Sequence, residues 1–309
     1  MLNKPEFWSK KKSFISLLLI PFSLLVIFFI YIKKKIINEK TFEIPVICIG
    51  NIYIGGTGKT PTSILIAKEL QKSGKNPVIL RKFYKDHKDE YDLIKNKVKS
   101  LIVNKNREKG ILEAIRMNYD LVILDDGFQD YKIKKNFNII CFNQKQLIGN
   151  GRVIPAGPLR EELNSLKNAN VVLINGEKDP LFERKILNIN KNLEIHYTSY
   201  VPESIIDYKN KNFFAVTSIG NPSNFFNLLS KSKVNVIKKI SYPDHYVFSD
   251  SEKESIIDEA KTKNCQIIMT EKDFTKFKKY ENENINSFKI QLKIENEQKL
   301  LEKICSFYD

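Results

Sequence analysis

A glycine-rich run between an apolar stretch and an amphipathic stretch is the feature that most constrains the fold of this 309-residue chain. It reads GNIYIGGTGKTP over residues 50–61. The residues before it (44–50) are apolar, and those after it (59–73) have helical periodicity. A strand, a glycine-rich loop and a helix in this order are typical of a phosphate loop, in which backbone N–H groups and the helix N-terminus surround phosphate oxygens.

The loop predicts specific contacts to a nucleoside triphosphate. Lys59 is expected to reach the β- and γ-phosphates, and the Thr60 hydroxyl is expected to bind Mg²⁺. The usual G-x-x-x-x-G-K-[ST] pattern has glycine where this chain has Tyr53. An ordinary glycine-rich turn before a helix is the alternative interpretation. The predicted ATP-binding residues are Tyr53, Ile54, Gly55, Gly56, Thr57, Gly58, Lys59 and Thr60.

Short apolar runs that alternate with amphipathic stretches predict a doubly wound α/β fold. The runs are apolar throughout, as expected for strands buried on both faces of a parallel sheet. Helices over 59–73 and 107–118 fit between them. The predicted strands are 44–50, 77–81, 100–103, 120–126, 137–142 and 170–175. We therefore predict an α/β fold with a P-loop NTPase-like parallel sheet and helices on both faces.

A second group of elements predicts a smaller α/β domain after the first. Strands are expected at 212–219, 265–270 and 287–292, and helices near 222–231 and 251–263. Proline and charged residues around 200–211 mark a boundary. The predicted division is a membrane-anchoring segment at 1–40, a P-loop domain at 41–205 and a smaller C-terminal α/β domain at 206–309.

The N-terminal region predicts attachment to a membrane. Residues 14–32 form an uncharged apolar run, with three lysines before it at 10–12 and three after it at 33–35. No small-residue cleavage site follows, which argues against a signal peptide, whereas a buried core helix stays an alternative. Pro21 would kink a helix, which suits a bent or shallow insertion. We expect an N-terminal membrane helix, either spanning the bilayer or lying in one leaflet.

An apolar strand that ends in two acids predicts a metal site. The run LVILDDGFQ covers residues 121–129, and an Asp at this place in P-loop proteins binds or orders Mg²⁺. Asp125 and Asp126 are both candidates, together with Thr60. A capped turn at Gly127 is the alternative for this strand end taken alone.

Composition narrows the class of partner. The net charge of +15 favours anionic partners, but Lys and Arg total 51, of which only six are Arg, so part of the excess is a compositional lysine bias. No nucleic-acid recognition motif accompanies the charge, and we expect no nucleic-acid partner. The four Cys form no CxxC pair and the three His are scattered, which predicts reduced thiols and no zinc site.

Four motifs in this order and spacing resemble the tetraacyldisaccharide 4'-kinase family. They are the glycine-rich loop, DDGFQ (125–129), RVIPAGPLRE (152–161) and PDHY (243–246), and the resemblance extends over residues 5–280, including TEKD (270–273). It implies transfer of the γ-phosphate of ATP, with Mg²⁺, to the 4'-hydroxyl of a tetraacyldisaccharide 1-phosphate in lipid A biosynthesis. It also implies a location at the bacterial inner membrane, with the catalytic domains on the cytoplasmic face.

The resemblance also implies a catalytic base. The family pairs an Asp of a G-D-E motif with a His of a D-H-x motif, and Asp89 of KDE and His245 of PDHY match them. Lys88 replaces the family's Gly, which leaves Asp86 and Asp92 as alternative acids. Lys59 completes the predicted catalytic set.

Three further residues are predicted to contact substrate. They are Arg160 of PAGPLRE, Gln129 of DDGFQ and Arg81, which remains from the family's S-R-G-Y motif in LRKFY (80–84). Pairing of Arg160 with Glu161 or Glu162 at a helix start is the alternative for that residue. The family usually has His after DDGFQ, where this chain has Asp130.

A regulatory membrane ATPase or GTPase switch is the main alternative function. It would share the phosphate loop and the membrane anchor, but it would not require PAGPLRE or PDHY. Such switches usually carry a second lysine early in the loop, where this chain has Tyr53 and Ile54.

Overall fold

The computed structural model describes residues 5–85, 87–203, 208, 210–244, 246–280 and 284–307, and for Asp89 it describes the backbone only. Two compact units are present. The larger unit comprises residues 2–83, 100–199 and 294–309, and the smaller unit comprises 84–99 and 200–293. The divisions at residues 40 and 205 stay predictions from the sequence.

An eight-stranded sheet organises the larger unit, in the order β12-β7-β6-β5-β1-β4-β2-β3. Neighbouring strands from β3 through β7 in this order pair in parallel. The bounds are β1 Val46–Gly50, β2 Pro77–Lys82, β3 Leu101–Asn104, β4 Leu121–Asp125, β5 Phe137–Asn143, β6 Val171–Asn175, β7 Glu194–Pro202 and β12 Ile290–Ile294. The predicted α/β class with a mainly parallel sheet is confirmed.

Helices connect these strands as crossovers. The helix after β1 is α3, Lys59–Lys72, and the helix after β3 is α5, Arg107–Arg116. Asn106 caps α5 through its side chain, and Asp179 caps α6, Pro180–Leu187. The chain ends in α10, Glu297–Cys305. Because parallel strands all end at one edge of the sheet, this arrangement brings the ends of β1 and β4 together.

Apolar side chains fill both faces of the large sheet. One face packs Val46, Val78 and Val122 against α5 residues such as Ile111. The other face includes Phe142, which contacts Phe182 of α6 edge-to-face at a centroid distance of 5.1 Å. Burial on both faces explains why the sequence of these strands is apolar throughout.

The smaller unit contains a four-stranded parallel sheet in the order β11-β10-β8-β9. Its strands are β8 Asn212–Thr217, β9 Asn235–Ser241, β10 Gln266–Thr270 and β11 Ile285–Phe288. Its helices are α4 Lys88–Lys97, α7 Pro222–Lys231, α8 Asp250–Thr262 and α9 Glu271–Phe274. Helix α4 comes from between β2 and β3 of the larger unit and packs against α9.

The single strand predicted at 287–292 is wrong. The chain divides there at Lys289, so that β11 joins the small sheet and β12 joins the large one. The apolar pattern SFKIQL continues across the division, and for this reason periodicity does not reveal the change of sheet. Strands β7 and β9 were not predicted, because their residues alternate with polar ones.

The apolar N-terminal run forms two helices rather than one. Helix α1 covers Phe14–Leu18 and α2 covers Ile20–Ile36, with Pro21 in the first turn of α2, where a missing N–H has little cost. Among the described residues, we find no helix that combines the length and the apolar character needed to cross a membrane. The membrane helix therefore stays a prediction. Residues 14–36 are called the N-terminal segment below.

The N-terminal segment turns two serines inward. Ser16 and Ser23 are its buried members, and they donate hydrogen bonds to the carbonyl oxygens of Ala156 and Val153 at 2.5 and 2.7 Å. Val26 and Ile27 pack against the core of the larger unit. Eleven other large side chains face outward and are more than half exposed: Phe14, Ile15, Leu17, Leu18, Phe22, Leu24, Leu25, Phe28, Phe29, Tyr31 and Ile36. A helix with this reversed polarity leaves a large apolar surface uncovered by its own protein.

Candidate active site

The glycine-rich loop joins β1 to α3 and has the backbone shape of an anion cradle. Gly55 and Gly58 have φ of 119° and 92°, which a residue with a Cβ rarely adopts. The Asn51 side chain donates to the Gly55 carbonyl at 3.2 Å and to the Thr57 hydroxyl at 3.0 Å. Asn51 is fully buried, so it holds the loop in place from the protein side.

Helix α3 presents its N-terminus at the end of this loop. The helix begins at Lys59, its N-cap is Gly58, and no side chain caps it within the described chain. The free N–H groups and the helix dipole favour an anion there. The Lys59 ammonium lies 3.6 Å from Asp126 Oδ1 at the same place.

Tyr53 occupies the place of the pattern's first glycine without disturbing the loop. Its side chain is buried in the core cluster that includes Ile52 and Phe128, and burial raises its pKa. Its backbone pairs with Leu159 in an isolated antiparallel bridge. The Tyr53 side chain therefore stabilises the base of the loop from the core.

Asp125, at the end of β4, is fully buried and accepts three side-chain hydrogen bonds. The donors are the Thr60 hydroxyl at 2.9 Å, the Ser63 hydroxyl at 3.2 Å and the Arg81 guanidinium at 2.7 Å. Arg81 also donates to Thr60 Oγ1 at 3.0 Å. This network fixes the hydroxyl of Thr60 beside the phosphate loop.

Asp126 follows directly but points elsewhere, because its φ of 58° turns the chain. Its Oδ1 accepts a hydrogen bond from Arg160 at 2.9 Å and lies near Lys59. Burial alone would raise the pKa of Asp126, but the charges of Lys59 and Arg160 outweigh burial and hold the pKa at about 2. The carboxylate therefore stays ionised and holds two cations at the mouth of the phosphate loop.

The oxygen donors here suit a magnesium ion. Mg²⁺ takes hard oxygen ligands and is usually bound by one or two protein groups together with substrate phosphates. Thr60 Oγ1 and Asp125 Oδ2 already contact each other beside the loop, and Asp126 is the next residue in the chain. Groups of three or more His, Cys, Asp or Glu that could hold a metal are absent from the part of the chain that the structure describes.

The proline loop, residues 150–161, lies along the phosphate loop. Ile54 N–H donates to the Pro158 carbonyl at 2.9 Å, and Arg160 N–H donates to the Ile52 carbonyl at 2.7 Å. These backbone bonds bring the Arg160 side chain to Asp126. The predicted alternative, in which Arg160 pairs with Glu161 or Glu162 at a helix start, does not describe this geometry.

Gln129 links the DDGFQ turn to the proline loop. Its Nε2 donates to the Asn51 carbonyl at 2.9 Å and to Glu161 Oε1 at 3.0 Å. Its Oε1 accepts from Arg160 at 3.3 Å. Glu161 was not singled out from the sequence, although it lies within the PLRE motif, because a buried acid cannot be told from a surface acid there.

Arg107 is a second residue that sequence reasoning missed. Its guanidinium donates to the Asp126 carbonyl at 2.7 Å and lies 3.3 Å from Asp130, so it supports the backbone of the acidic turn. Asp130, which stands where the family usually has His, is therefore paired with Arg107. The position of Arg107 at the start of α5 gave no signal of this long-range contact.

In the smaller unit, helix α4 carries the predicted acidic base. Asp89 lies on α4 by its backbone, its side chain is outside the described structure, and Asp92 is half-buried on the same helix. Asp86 and His245 lie outside the described residues. The predicted pairing of Asp89 with His245 therefore stays a prediction.

Lys272 contacts two acids, one next to Asp89 in the sequence and one next to His245. Lys272 of TEKD lies 3.2 Å from Asp244 and 3.9 Å from Glu90. Next to it, Asp273 is fully buried and accepts hydrogen bonds from Thr217, Ser218 and Thr270. Lys272 therefore holds the KDE helix and the PDHY turn together within the smaller unit.

Among the predicted site residues, the structure brings one group together in the larger unit: Lys59, Thr60, Arg81, Asp125, Asp126, Gln129 and Arg160. These residues come from four separate stretches of chain. A parallel sheet that carries a phosphate loop, a strand-end acid and converging cations defines a P-loop nucleotide-binding protein.

Comparison with known proteins agrees with this class and narrows it. Residues 15–308 match the family model described as Tetraacyldisaccharide-1-P 4'-kinase. The tetraacyldisaccharide 4'-kinase of Pelagibacter ubique (strain HTCC1062) is 40% identical over 310 residues, with 98% of this chain and 97% of the relative covered. The chain therefore belongs to the tetraacyldisaccharide-1-P 4'-kinase family, a family of kinases.

More distant relatives agree. The tetraacyldisaccharide 4'-kinase of Rickettsia felis is 32% identical over 317 residues, covering 97% of this chain and 96% of the relative. The crystal structure of LpxK from Aquifex aeolicus, described as an "apo" form in complex with ATP, superposes with a TM-score of 0.76 at 25% identity. That match covers 96% of this chain and 100% of the solved one.

Proposed function

We propose that this chain transfers the γ-phosphate of ATP to the 4'-hydroxyl of a tetraacyldisaccharide 1-phosphate, a step of lipid A biosynthesis. Membership of the family and the names of its relatives support the reaction. The geometry supports it most directly at Asp126, where Lys59 and Arg160 converge on one carboxylate in front of a free helix N-terminus.

ATP is the proposed phosphoryl donor. The solved structure of the Aquifex aeolicus relative is described as a complex with ATP. The loop of this chain, with Gly55 and Gly58 at positive φ, offers a backbone cradle suited to phosphate. Lys59 and Arg160 can exchange their contact with Asp126 for contacts to phosphate oxygens, since both are cations with phosphate as a natural partner.

Mg²⁺ is the proposed metal, held by Thr60 with Asp125 or Asp126. When bound, it would neutralise charge on the β- and γ-phosphates. The residues of the chain orient the groups that would hold the metal. Arg81 and Ser63 keep the Asp125 carboxylate fixed, and that carboxylate keeps the Thr60 hydroxyl in position. Most of the acceleration in such a transfer comes from positioning and electrostatics.

Asp89 and His245 are the proposed pair that orients the sugar hydroxyl and accepts its proton. A carboxylate and an imidazole in contact can do this at neutral pH. The Lys272 contacts to Glu90 and Asp244 support the proposal, because they join the two motifs that carry the pair. Arg160, Gln129 and Arg81 remain the proposed substrate contacts.

We propose that the protein acts while bound to a membrane surface. The outward apolar face of the N-terminal segment, with lysines at both ends, suits insertion among acyl chains and anionic head groups. Ser16 and Ser23 bind the proline loop on the other side, which favours a segment that lies in one leaflet against its own protein. The proposed division of the chain is therefore an anchoring segment followed by two catalytic parts.

We further propose that the catalytic parts lie at the cytoplasmic face of the bacterial inner membrane. All four cysteines are free thiols, as is usual in a reducing compartment. The lipid acceptor also requires a membrane location.

The proposed function is tested by comparing phosphate transfer to two lipid acceptors. Wild-type protein in detergent micelles is given γ-labelled ATP with either the tetraacyldisaccharide 1-phosphate or the same lipid methylated at the 4'-oxygen. We expect label only in the unmodified lipid. Equal labelling of both lipids would contradict phosphorylation at this position.

The proposed base pair is tested in the same assay. Asp89→Asn and His245→Ala should each lower labelling by about a hundredfold, the order of a general-base contribution. Labelling that survives Asp89→Asn but not Asp86→Asn or Asp92→Asn would move the base to that acid.

A further inference from the structure

The last turn of the N-terminal segment contacts the candidate active site through a partly buried ion pair. Lys34 Nζ lies 2.6 Å from Glu161 Oε2, across 127 residues of sequence. The Glu161 side chain is 2% exposed, whereas that of Lys34 is 35% exposed. A carboxylate with so little contact to water depends on its protein partners for stabilisation.

Tyr131 makes a second contact between the same two residues. The Lys34 ammonium lies over the Tyr131 ring at 4.8 Å from its centroid, within the range of a cation–π interaction. Burial raises the pKa of Tyr131, and its hydrogen bond to Glu161 raises it further. The lysine, the ring and the carboxylate therefore form one compact group at the end of α2.

Glu161 also contacts a residue of the phosphate site. Its other oxygen, Oε1, accepts from Gln129 Nε2 at 3.0 Å. The same Nε2 donates to the Asn51 carbonyl at 2.9 Å, which fixes the orientation of the amide. Gln129 Oε1 then faces Arg160 at 3.3 Å, and Arg160 contacts Asp126.

The contacts of Lys34 and of Gln129 with Glu161 both depend on its carboxylate. Removing the Lys34 ammonium takes away the cation that contacts this buried carboxylate at 2.6 Å, which is unfavourable in a protein interior. The carboxylate then moves toward water or toward another donor. Such a movement disturbs the Gln129 amide and with it the guanidinium of Arg160.

We propose that Lys34 is a positioning residue that orients Arg160 through Glu161 and Gln129, and so joins the N-terminal segment to the nucleotide site. The inference rests on the proposed function in one respect, that Arg160 contacts a phosphate of ATP. The neighbouring Lys33 also lies over the Tyr131 ring, at 5.4 Å from its centroid, and is therefore not a suitable control. Lys35, one residue along, places its ammonium over Tyr31 at 4.9 Å.

The test is the dissociation constant for ATP, measured by titration calorimetry on the full chain in detergent micelles. We expect Lys34→Gln to weaken ATP binding by about tenfold, a coupling of usual size for contacting residues. Lys35→Gln removes the same charge from the same helical turn and should change binding by less than about twofold. Lys34→Arg should restore most of the affinity, since it restores the cation.

A double-mutant cycle with Glu161→Gln separates positioning from general damage. In the Glu161→Gln background no buried carboxylate needs a cation, so Lys34→Gln should then have little further effect on ATP binding. This background also serves if Lys34→Gln alone lowers the melting temperature strongly. Equal effects of Lys34→Gln and Lys35→Gln, or additive effects of Lys34→Gln and Glu161→Gln, would overturn the inference.

Failure of the proposed function gives a different result. Wild-type protein that binds ATP but labels no lipid would contradict the kinase reaction. The double-mutant cycle on ATP binding would still support or reject the role of Lys34.

Discussion

At the scale of single residues, the candidate site is a balance of charge around Asp126. Lys59 from α3 and Arg160 from the proline loop both contact its carboxylate. An incoming triphosphate competes for the same two cations, because phosphate oxygens are strong acceptors for both. The low pKa of Asp126, about 2, means that its charge does not change over the working pH range.

Lys59→Ala should lower phosphate transfer by at least about a hundredfold, the order of effect for loss of one preorganised cationic or donor group. Transfer is measured with labelled ATP, and the melting temperature is measured alongside. Lys72→Ala, at the far and exposed end of the same helix, is the control and should keep nearly full activity. Full activity of Lys59→Ala would contradict the phosphate-loop assignment.

Lys272→Met should lower kcat by about tenfold with little change in the KM for ATP. The lysine joins Glu90 and Asp244 in the smaller unit, and a misplaced base affects the transfer step more than nucleotide binding. Lys279→Met, which removes a largely exposed lysine of the same unit, is the matched control. An increase in the KM for ATP without loss of kcat would argue against this role.

At the scale of elements, the proline loop is held by close packing that tolerates no added atom. A Cβ at Gly157 would lie 2.3 Å from the Arg152 carbonyl oxygen, so the backbone would have to move. Gly157→Ala should lower the free energy of unfolding by about 2 kcal/mol, as overpacking does. Chemical denaturation measures this, and Gly56→Ala, which meets nothing within 4 Å, should change stability far less.

The C-terminal helix α10 is attached by a titratable contact. Glu194 of β7 pairs with Lys303 at 2.9 Å and with Lys299 at 3.2 Å. Burial alone would raise its pKa, but the two lysines and His196 lower it from 4.5 to about 2.

This lowered pKa predicts a pH dependence of stability. Between pH 4.5 and about 2 the unfolded chain takes up a proton at Glu194 before the folded chain does, so the stabilisation is complete above pH 4.5 and is lost as pH falls. The melting-temperature difference between wild type and Glu194→Gln should therefore shrink over this window. A difference that stays constant down to pH 2 would contradict the predicted titration.

The strands of the parallel sheets were predictable to the extent that they are buried on both faces. The run before Asp125 and the run before the glycine-rich loop are apolar throughout, and both form central strands. Strands β7 and β9 lie among polar residues, and their sequence carries no comparable signal. The division at Lys289 depends on which sheet offers a free edge, and no local pattern records that.

At the scale of the whole molecule, the proposed attachment to a membrane would use the outward apolar face of the N-terminal segment. Leu24→Asp should lower binding to vesicles that contain anionic lipid by about tenfold or more, because a charge replaces an inserted side chain. Leu181 of α6 is 80% exposed outside this segment, so Leu181→Asp is the matched control. Vesicle flotation measures both, and equal binding by wild type and Leu24→Asp would contradict the proposed orientation.

The sequence predicted the site residues that lie within short motifs and missed those that act from a distance. Lys59, Thr60, Asp125 and Arg160 follow from motif chemistry, and the structure brings them together. The Lys34–Glu161 pair joins residues 127 positions apart, and the membership of residues 84–99 in the smaller unit is equally non-local. Such contacts are set by tertiary packing, which a single sequence does not reveal.

The coupling between ATP consumption and lipid phosphorylation tests the central claim most directly. Wild-type protein is incubated with γ-labelled ATP and tetraacyldisaccharide 1-phosphate in micelles, and ADP and labelled lipid are quantified in the same sample. A lipid kinase predicts about one labelled lipid for each ADP formed, because the phosphoryl group passes directly to the acceptor. ADP that accumulates without labelled lipid would contradict the account and would indicate a regulatory ATPase.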